Sequence, residues 1–166
     1  RILVSGRPGE AALGLAVLRS RPDRVRKYAR MVQAFHRPRP DIELGACLAV
    51  QPGVHALIDV SDGLLADLGH ILAASGVGAH IEAETLPISP SMRQCGREVD
   101  MDAVDASLSG GEDYVLLTCA DHAASLALQK LGMTDIGAVT NQRGRVLVRE
   151  DGRSRPVKGR GYRHFA

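Results

Sequence analysis

Apolar and polar positions along this chain switch between two periods, and the switches mark its elements. Residues 2–5 form a short apolar run before the turn Ser5-Gly6-Arg7-Pro8-Gly9, which predicts a strand. Residues 10–18 take helical spacing, with Leu13, Val17 and Leu18 as apolar positions and Glu10 near the start, where an acid suits the helix dipole. Pro22 breaks that pattern. A second helix over residues 23–35 carries Val25, Tyr28, Met31, Val32 and Phe35 on one face and basic residues opposite. Pro38 and Pro40 end it, because a proline disfavours helix in the residue before it. Residues 54–60 predict a buried strand. The turn Ser61-Asp62-Gly63 follows, then a helix striped by Leu64, Leu65, Leu68, Ile71 and Leu72 that stops near Gly76. Residues 78–84 predict another strand. The polar stretch 86–106, with Pro87 and Pro90, predicts a loop holding one short helix. Ser109-Gly110-Gly111-Glu112-Asp113 turns into a strand over 114–119, and Asp121 caps a helix that runs to Leu131 and ends at Gly132. Residues 136–139 and 145–149 predict a hairpin across 140–144, and residues 159–165 show no period. Strands alternating with helices predict a single α/β domain.

Composition narrows this. At 166 residues with 45% apolar positions, the chain can build one well-cored domain, and 18 glycines without tryptophan suit a loop-rich α/β scaffold. No apolar run approaches the ~20 residues a membrane span needs, and the opening run is too short for a secretory signal. Cys47, Cys95 and Cys119 form no Cys-x-x-Cys pair. They predict buried or semi-buried thiols in a reducing cytoplasm, not a disulfide framework or zinc site. The start at Arg1, without Met, predicts a piece of something longer. The net charge of +2 hides a partition: residues 1–40 carry +8, residues 41–142 carry −12 and residues 143–166 carry +6. The basic ends could follow a phosphate backbone. They lack the interleaved aromatics and motifs of a nucleic-acid module, so a solvated face is the reading and no nucleic acid is expected.

Two acidic segments inside the middle carry the candidate chemistry. In Ile58-Asp59-Val60-Ser61-Asp62-Gly63, strand alternation lets Asp59 and Ser61 share a side, with Asp62 adjacent at the helix start. Carboxylates so close repel unless a cation or proton intervenes, and Mg²⁺ prefers such hard oxygens. Ser61 or Asp62 could equally serve as the N-cap of the following helix. In Ser109-Gly110-Gly111-Glu112-Asp113-Tyr114, paired glycines let backbone approach an anion, and the acids can take a metal or a cation. The same residues also suit a plain turn.

Together these segments, with Ser75-Gly76-Val77-Gly78-Ala79, Leu86-Pro87, the opening Val4-Ser5-Gly6-Arg7-Pro8-Gly9 and the closing Gly161-Tyr162-Arg163-His164-Phe165, resemble the thiamine-monophosphate kinase family. The likeness is to that family's C-terminal domain, within the aminoimidazole-ribonucleotide synthetase superfamily. It implies a layered α/β sandwich occupying residues 1–166, with an N-terminal domain absent from this chain. It implies transfer of the ATP γ-phosphoryl to thiamine monophosphate, giving thiamine diphosphate, with Mg²⁺. By motif, Asp59 and Asp62 would be Mg²⁺ ligands, Ser61 would contact ATP, and Glu112 and Tyr162 would contact the thiamine end of the substrate. A cytoplasmic homodimer is implied for the full-length protein, and no kinase activity for this part alone. His164 and Phe165 are expected to pack.

Two departures stand out: Val115 where the family usually has Glu, and Pro38-Arg39-Pro40-Asp41 where it has Pro-x-Pro-Arg. The competing readings are a sister enzyme, such as a selenophosphate synthetase, a purine-pathway synthetase or a hydrogenase-maturation dehydratase, and a non-catalytic binding or dimerisation module. The dehydratase would need a cysteine near its C-terminus, and this chain ends Tyr162-Arg163-His164-Phe165-Ala166.

Overall fold

Strand alternation at the very start of the chain already sets up two buried faces. A computed structural model describes residues 1–157. Its strands are β1 (Ile2–Val4), β2 (Val54–Val60), β3 (Gly78–Glu82), β4 (Val115–Ala120), β5 (Thr134–Thr140), β6 (Val146–Glu150) and β7 (Arg153–Val157). Its helices are α1 (Glu10–Ser20), α2 (Ala29–His36), α3 (Ile42–Ala49), α4 (Leu64–Ser75), α5 (Pro90–Val99), α6 (Ala103–Ser109) and α7 (His122–Lys130). The strands form one sheet in the order β2-β4-β1-β5-β3-β6-β7. Every pairing is antiparallel except β3 with β6.

β1 is central, so it must be apolar on both sides. Ile2 and Val4 face a core with Leu64, Leu68 and Leu72 of α4 and Leu108 of α6. Leu3 faces the other way, onto Leu48 of α3 and Leu128 of α7. A third cluster lies among helices: Leu13 and Val17 of α1, Met31 and Val32 of α2, and Met92 and Cys95 of α5. α1 and α2 touch closely because Gly14 leaves no side chain where a Cβ would stand 2.0 Å from the Met31 carbonyl oxygen. The result is the layered α/β sandwich expected. No helix among the described residues is long and apolar enough to cross a membrane.

Several elements depart from expectation. The hairpin does not form: β3 inserts between the two segments, pairing Ile81 with Gly137 of β5 and with Val148 of β6. The 141–145 turn therefore crosses two strand spacings, about 10 Å. It is tied over the entry to β3 by the Gly144 amide to the Val77 carbonyl (3.1 Å) and the Ala79 amide to that of Arg145 (3.0 Å). The 86–106 stretch holds two helices. Ser89 caps α5 through the Met92 amide, and Asp102 caps α6 through Val104 and Asp105. α3 was not foreseen; Asp41 caps it, accepting from the Leu44 amide at 2.9 Å. The second helix begins at Ala29, with a single 3₁₀ turn at Pro22–Arg24 before it. β3 ends at Glu82, short of the expected 84, and a 3₁₀ turn at Ala83–Thr85 follows. β7 adds an edge strand. Cys47 is exposed, unlike Cys95 and Cys119, whose burial is as expected. Burial pushes the Cys95 thiol up to about 11, which keeps it protonated.

Candidate active site

Two loops, one ending β2 and one opening β4, are stitched together by backbone. The Glu112 amide donates to the Ser61 carbonyl and the Tyr114 amide to the Val60 carbonyl, both at 2.8 Å. Such contact needs bare backbone on both sides. A Cβ on Gly111 would stand 2.5 Å from the Ser61 carbonyl oxygen, and one on Gly63, at φ +117°, would stand 2.9 Å from that of Ser109.

The β2–α4 turn is gathered by a residue inside the helix. One carboxylate oxygen of Asp67 accepts from the amides of Ser61 (3.0 Å), Asp62 (3.1 Å) and Gly63 (3.1 Å). Asp67 is 3% exposed; burial pushes its pKa above the ordinary carboxylate value, against the three amides that favour the charged form. The N-cap of α4 is Gly63, with no side-chain cap. Capping by Ser61 or Asp62 therefore does not occur: no amide of the first helical turn donates to either side chain. That leaves both side chains free for other work.

The predicted residues fall around this seam. Asp59 lies exposed on β2, across from Leu116 of β4, while Ser61 and Asp62 are half-buried in the turn. The ligand atoms of Asp62, Asp67 and His70 lie within 4.8 Å of one another, a group that does not include Asp59. Asp59 and Asp62 do converge electrostatically on Tyr114. Its phenol is raised chiefly by the charge of Glu112 and its hydrogen bond to Glu112, with Asp59 and Asp62 adding. The Tyr114 hydroxyl donates to Glu112 Oε2 at 3.2 Å. Glu112 (φ +68°) and Tyr114 (φ +52°) both hold left-handed backbone, uncommon for any residue but glycine and costly for a tyrosine. Tyr162 lies outside the described residues, as do His164 and Phe165.

Asp113, between them, points inward and clips the loop to the start of α1. Its carboxylate accepts from the Gly9 amide (2.6 Å) and the Ala11 amide (2.9 Å). Burial raises it to about 7, against those two amides and with the nearby Glu10 charge adding. Among the described residues, no lysine or arginine forms an ion pair with Asp59, Asp62, Asp67, Glu112 or Asp113. Beside Glu112 opens a largely apolar cavity of about 740 Å³, walled by Leu15, Ala16, Phe35 and Met101, with Arg19 and Glu112 as its charged members.

Sequence reasoning assigned no role to Asp67 or Tyr114, and it offered Asp113, with Glu112, as an acid for a metal or a cation; Asp113 is instead buried and taken up by the Gly9 and Ala11 amides. Asp67 left a usable signal: it stands on the apolar stripe of α4 beside Leu64 and Leu68, where a charge must have a partner.

A layered α/β fold with two glycine-bearing acidic loops meeting at one sheet end matches a known family. The chain belongs to the AIR synthase related proteins, whose C-terminal domain corresponds to residues 4–149. Within it, the similarity is to thiamine-monophosphate kinases. That of Salmonella typhimurium is 38% identical over 174 residues, covering 99% of this chain and 52% of the relative. That of Methanopyrus kandleri is 38% identical over 119 residues, covering 72% and 38%. The solved structure of AaThiL complexed with AMPPCP and TMP overlays with a TM-score of 0.79 at 31% identity, covering 99% of this chain and 50% of that one. The thiamine-monophosphate kinase of Stenotrophomonas maltophilia K279a gives 0.75 at 38%, covering 91% and 49%. The hydrogenase maturation protein HypE of E. coli, at 24% identity and a TM-score of 0.70, shares the fold. The chain spans about half the length of the curated relatives it matches.

Proposed function

We propose that this chain is the C-terminal half of a thiamine-monophosphate kinase, which transfers the γ-phosphoryl of ATP to the phosphate of thiamine monophosphate. The observation that carries the reading is the seam itself: Asp59, Asp62 and Glu112 stand on its two joined loops with no ion-pair partner among the described residues, beside a largely apolar cavity. Similarity to thiamine-monophosphate kinases, one of them solved with AMPPCP and TMP, supports it.

In this reaction an oxygen of the substrate phosphate attacks the γ-phosphorus, the bond to the β-phosphate oxygen breaks, and ADP leaves. Such a transfer asks a protein chiefly to position anions and neutralise their charge. The hard oxygens of Asp59 and Asp62, lacking any arginine or lysine partner among the described residues, fit Mg²⁺, which would supply charge neutralisation when bound. Ser61, its hydroxyl spared from capping, would contact ATP. Glu112, fixed by strained backbone and by Tyr114, would face the thiamine end at the cavity mouth, where apolar walls suit a ring and the carboxylate suits its cationic thiazolium. Tyr162 is assigned to the same end of the substrate.

The test is formation of thiamine diphosphate by the full-length protein from ATP, Mg²⁺ and thiamine monophosphate. Asp62→Asn is expected to lower turnover by about 100-fold or more, the scale on which positioned charge acts in catalysis. This half alone is expected to release no ADP above blank. A full-length protein without turnover, or an Asp62→Asn variant as active as the parent, would overturn the reading.

A further inference from the structure

We infer that Asp67 is a positioning residue of the nucleotide and metal side of this site, acting through the Ser61-Asp62-Gly63 backbone and not by contact with substrate. The inference rests on the kinase reading and adds to it a residue whose side chain faces away from the reactants.

A turn that carries Ser61 and Asp62 forward has three consecutive amides pointing back into the protein. Left alone, these donors would be buried without a partner or would compete for the short polar side chains beside them. Asp67 prevents both. A single oxygen takes all three amides at 3.0–3.1 Å, a charge-assisted set that fixes three successive peptide planes at once. Its place on the first turn of α4 sets the geometry, since a rigid helix backed by Leu64 and Leu68 carries the acceptor. The effect spreads across the seam. The Ser61 carbonyl whose plane is fixed by this cluster accepts the Glu112 amide at 2.8 Å, so the two loops share one register.

The proximity of Asp62, Asp67 and His70 does not by itself make Asp67 a metal ligand. Its engaged oxygen faces three donors, which is the arrangement of a support and not of an open ligand. An acid that orients metal-binding residues from behind typically matters about 10- to 100-fold in metal affinity or activity.

The test uses the full-length protein as parent, Asp67→Ala, Asp67→Asn, and Leu128→Ala as a control. Leu128 is a buried residue of α7 on the opposite face of the sheet, so its truncation loosens the fold without touching the turn. Two readouts are taken. Amide hydrogen exchange without Mg²⁺ or nucleotide should speed up at Ser61, Asp62 and Gly63 in Asp67→Ala and stay at parental rates there in Leu128→Ala. Calorimetric titration with AMPPCP in the presence of Mg²⁺ should show Kd weakened by about 10- to 100-fold in Asp67→Ala. Asp67→Asn, which keeps one carbonyl oxygen for the amides, should recover part of that loss. In turnover, KM for ATP should rise more than KM for thiamine monophosphate, which the substitution reaches only indirectly, through the Glu112 loop. A parent that binds no AMPPCP with Mg²⁺ would sink the kinase reading. A parent that binds normally, with exchange and affinity unchanged in Asp67→Ala, would sink this inference alone. So would equal weakening in Leu128→Ala, which would make the effect one of general stability.

Discussion

Replacing Asp113 with asparagine should remove a pH dependence of folding that runs against the usual carboxylate direction. Asp113 is 9% exposed and held near a pKa of about 7 by burial, against an ordinary value of 3.8. An acid raised in the folded state keeps its proton there after the unfolded chain has released it. Its stabilising effect is therefore complete below about pH 4 and is lost progressively as pH rises to about 7. Three pH units at 1.36 kcal/mol each amount to about 4 kcal/mol. Asparagine cannot titrate. It keeps one oxygen for the Gly9 or Ala11 amide and turns its own NH₂ toward the other, a cost of about 1–3 kcal/mol that does not vary with pH. Urea unfolding of parent and variant, from about pH 4 to about pH 8, isolates the effect, because all other titrating groups are common to both. The parent's advantage should shrink by about 4 kcal/mol across that range. A difference that stays flat would refute the reasoning. A difference that grows with pH would show that the two amides at the α1 terminus outweigh burial.

Other consequences follow from single contacts. Gly14→Ala would place a Cβ 2.0 Å from the Met31 carbonyl oxygen, and prising α1 from α2 should cost about 3 kcal/mol, seen as a lower Tm. Arg30→Ala breaks a 2.8 Å pair with Glu10, but the arginine is 68% exposed, so the urea midpoint should move by no more than about 1 kcal/mol equivalent. Tyr114→Phe removes the hydrogen bond to Glu112 and should raise KM for thiamine monophosphate in the full-length protein with little change in KM for ATP. In the parent, ultraviolet titration should find the Tyr114 phenol above its ordinary range, and Glu112→Gln should bring it down.

Much of this fold was written in short-range patterns. The leucine stripe of α4 and the Asp121 cap of α7 state their structure locally and stand as expected; the apolar run of β2 does form a strand, but at the sheet edge and mostly half-buried, where a buried one was expected. Pairing is a different matter. β5 and β6 lie near one another in sequence, yet β3 separates them, because Ala79 and Ile81 are apolar on a strand that needs partners on both edges. No local period encodes that. α3 and the second helix of the 86–106 stretch escaped because proline-rich or polar neighbours hid the caps Asp41, Ser89 and Asp102. At the site, the two motifs were visible as strings, and the structure joins them through the Ser61–Glu112 and Val60–Tyr114 backbone bonds. The supports were not visible. Asp113 and Asp67 look like two more acids in an acidic middle until geometry shows each accepting several amides.

The central claim is that the acids of this seam serve phosphoryl transfer between ATP and a phosphorylated thiamine. Its most direct test follows the label from ATP carrying ³²P in the γ position, incubated with Mg²⁺, thiamine monophosphate and the full-length protein. The label should appear in the terminal phosphate of thiamine diphosphate, and Asp62→Asn should nearly abolish it. Label released only as inorganic phosphate, or transferred equally well by Asp62→Asn, would contradict the account.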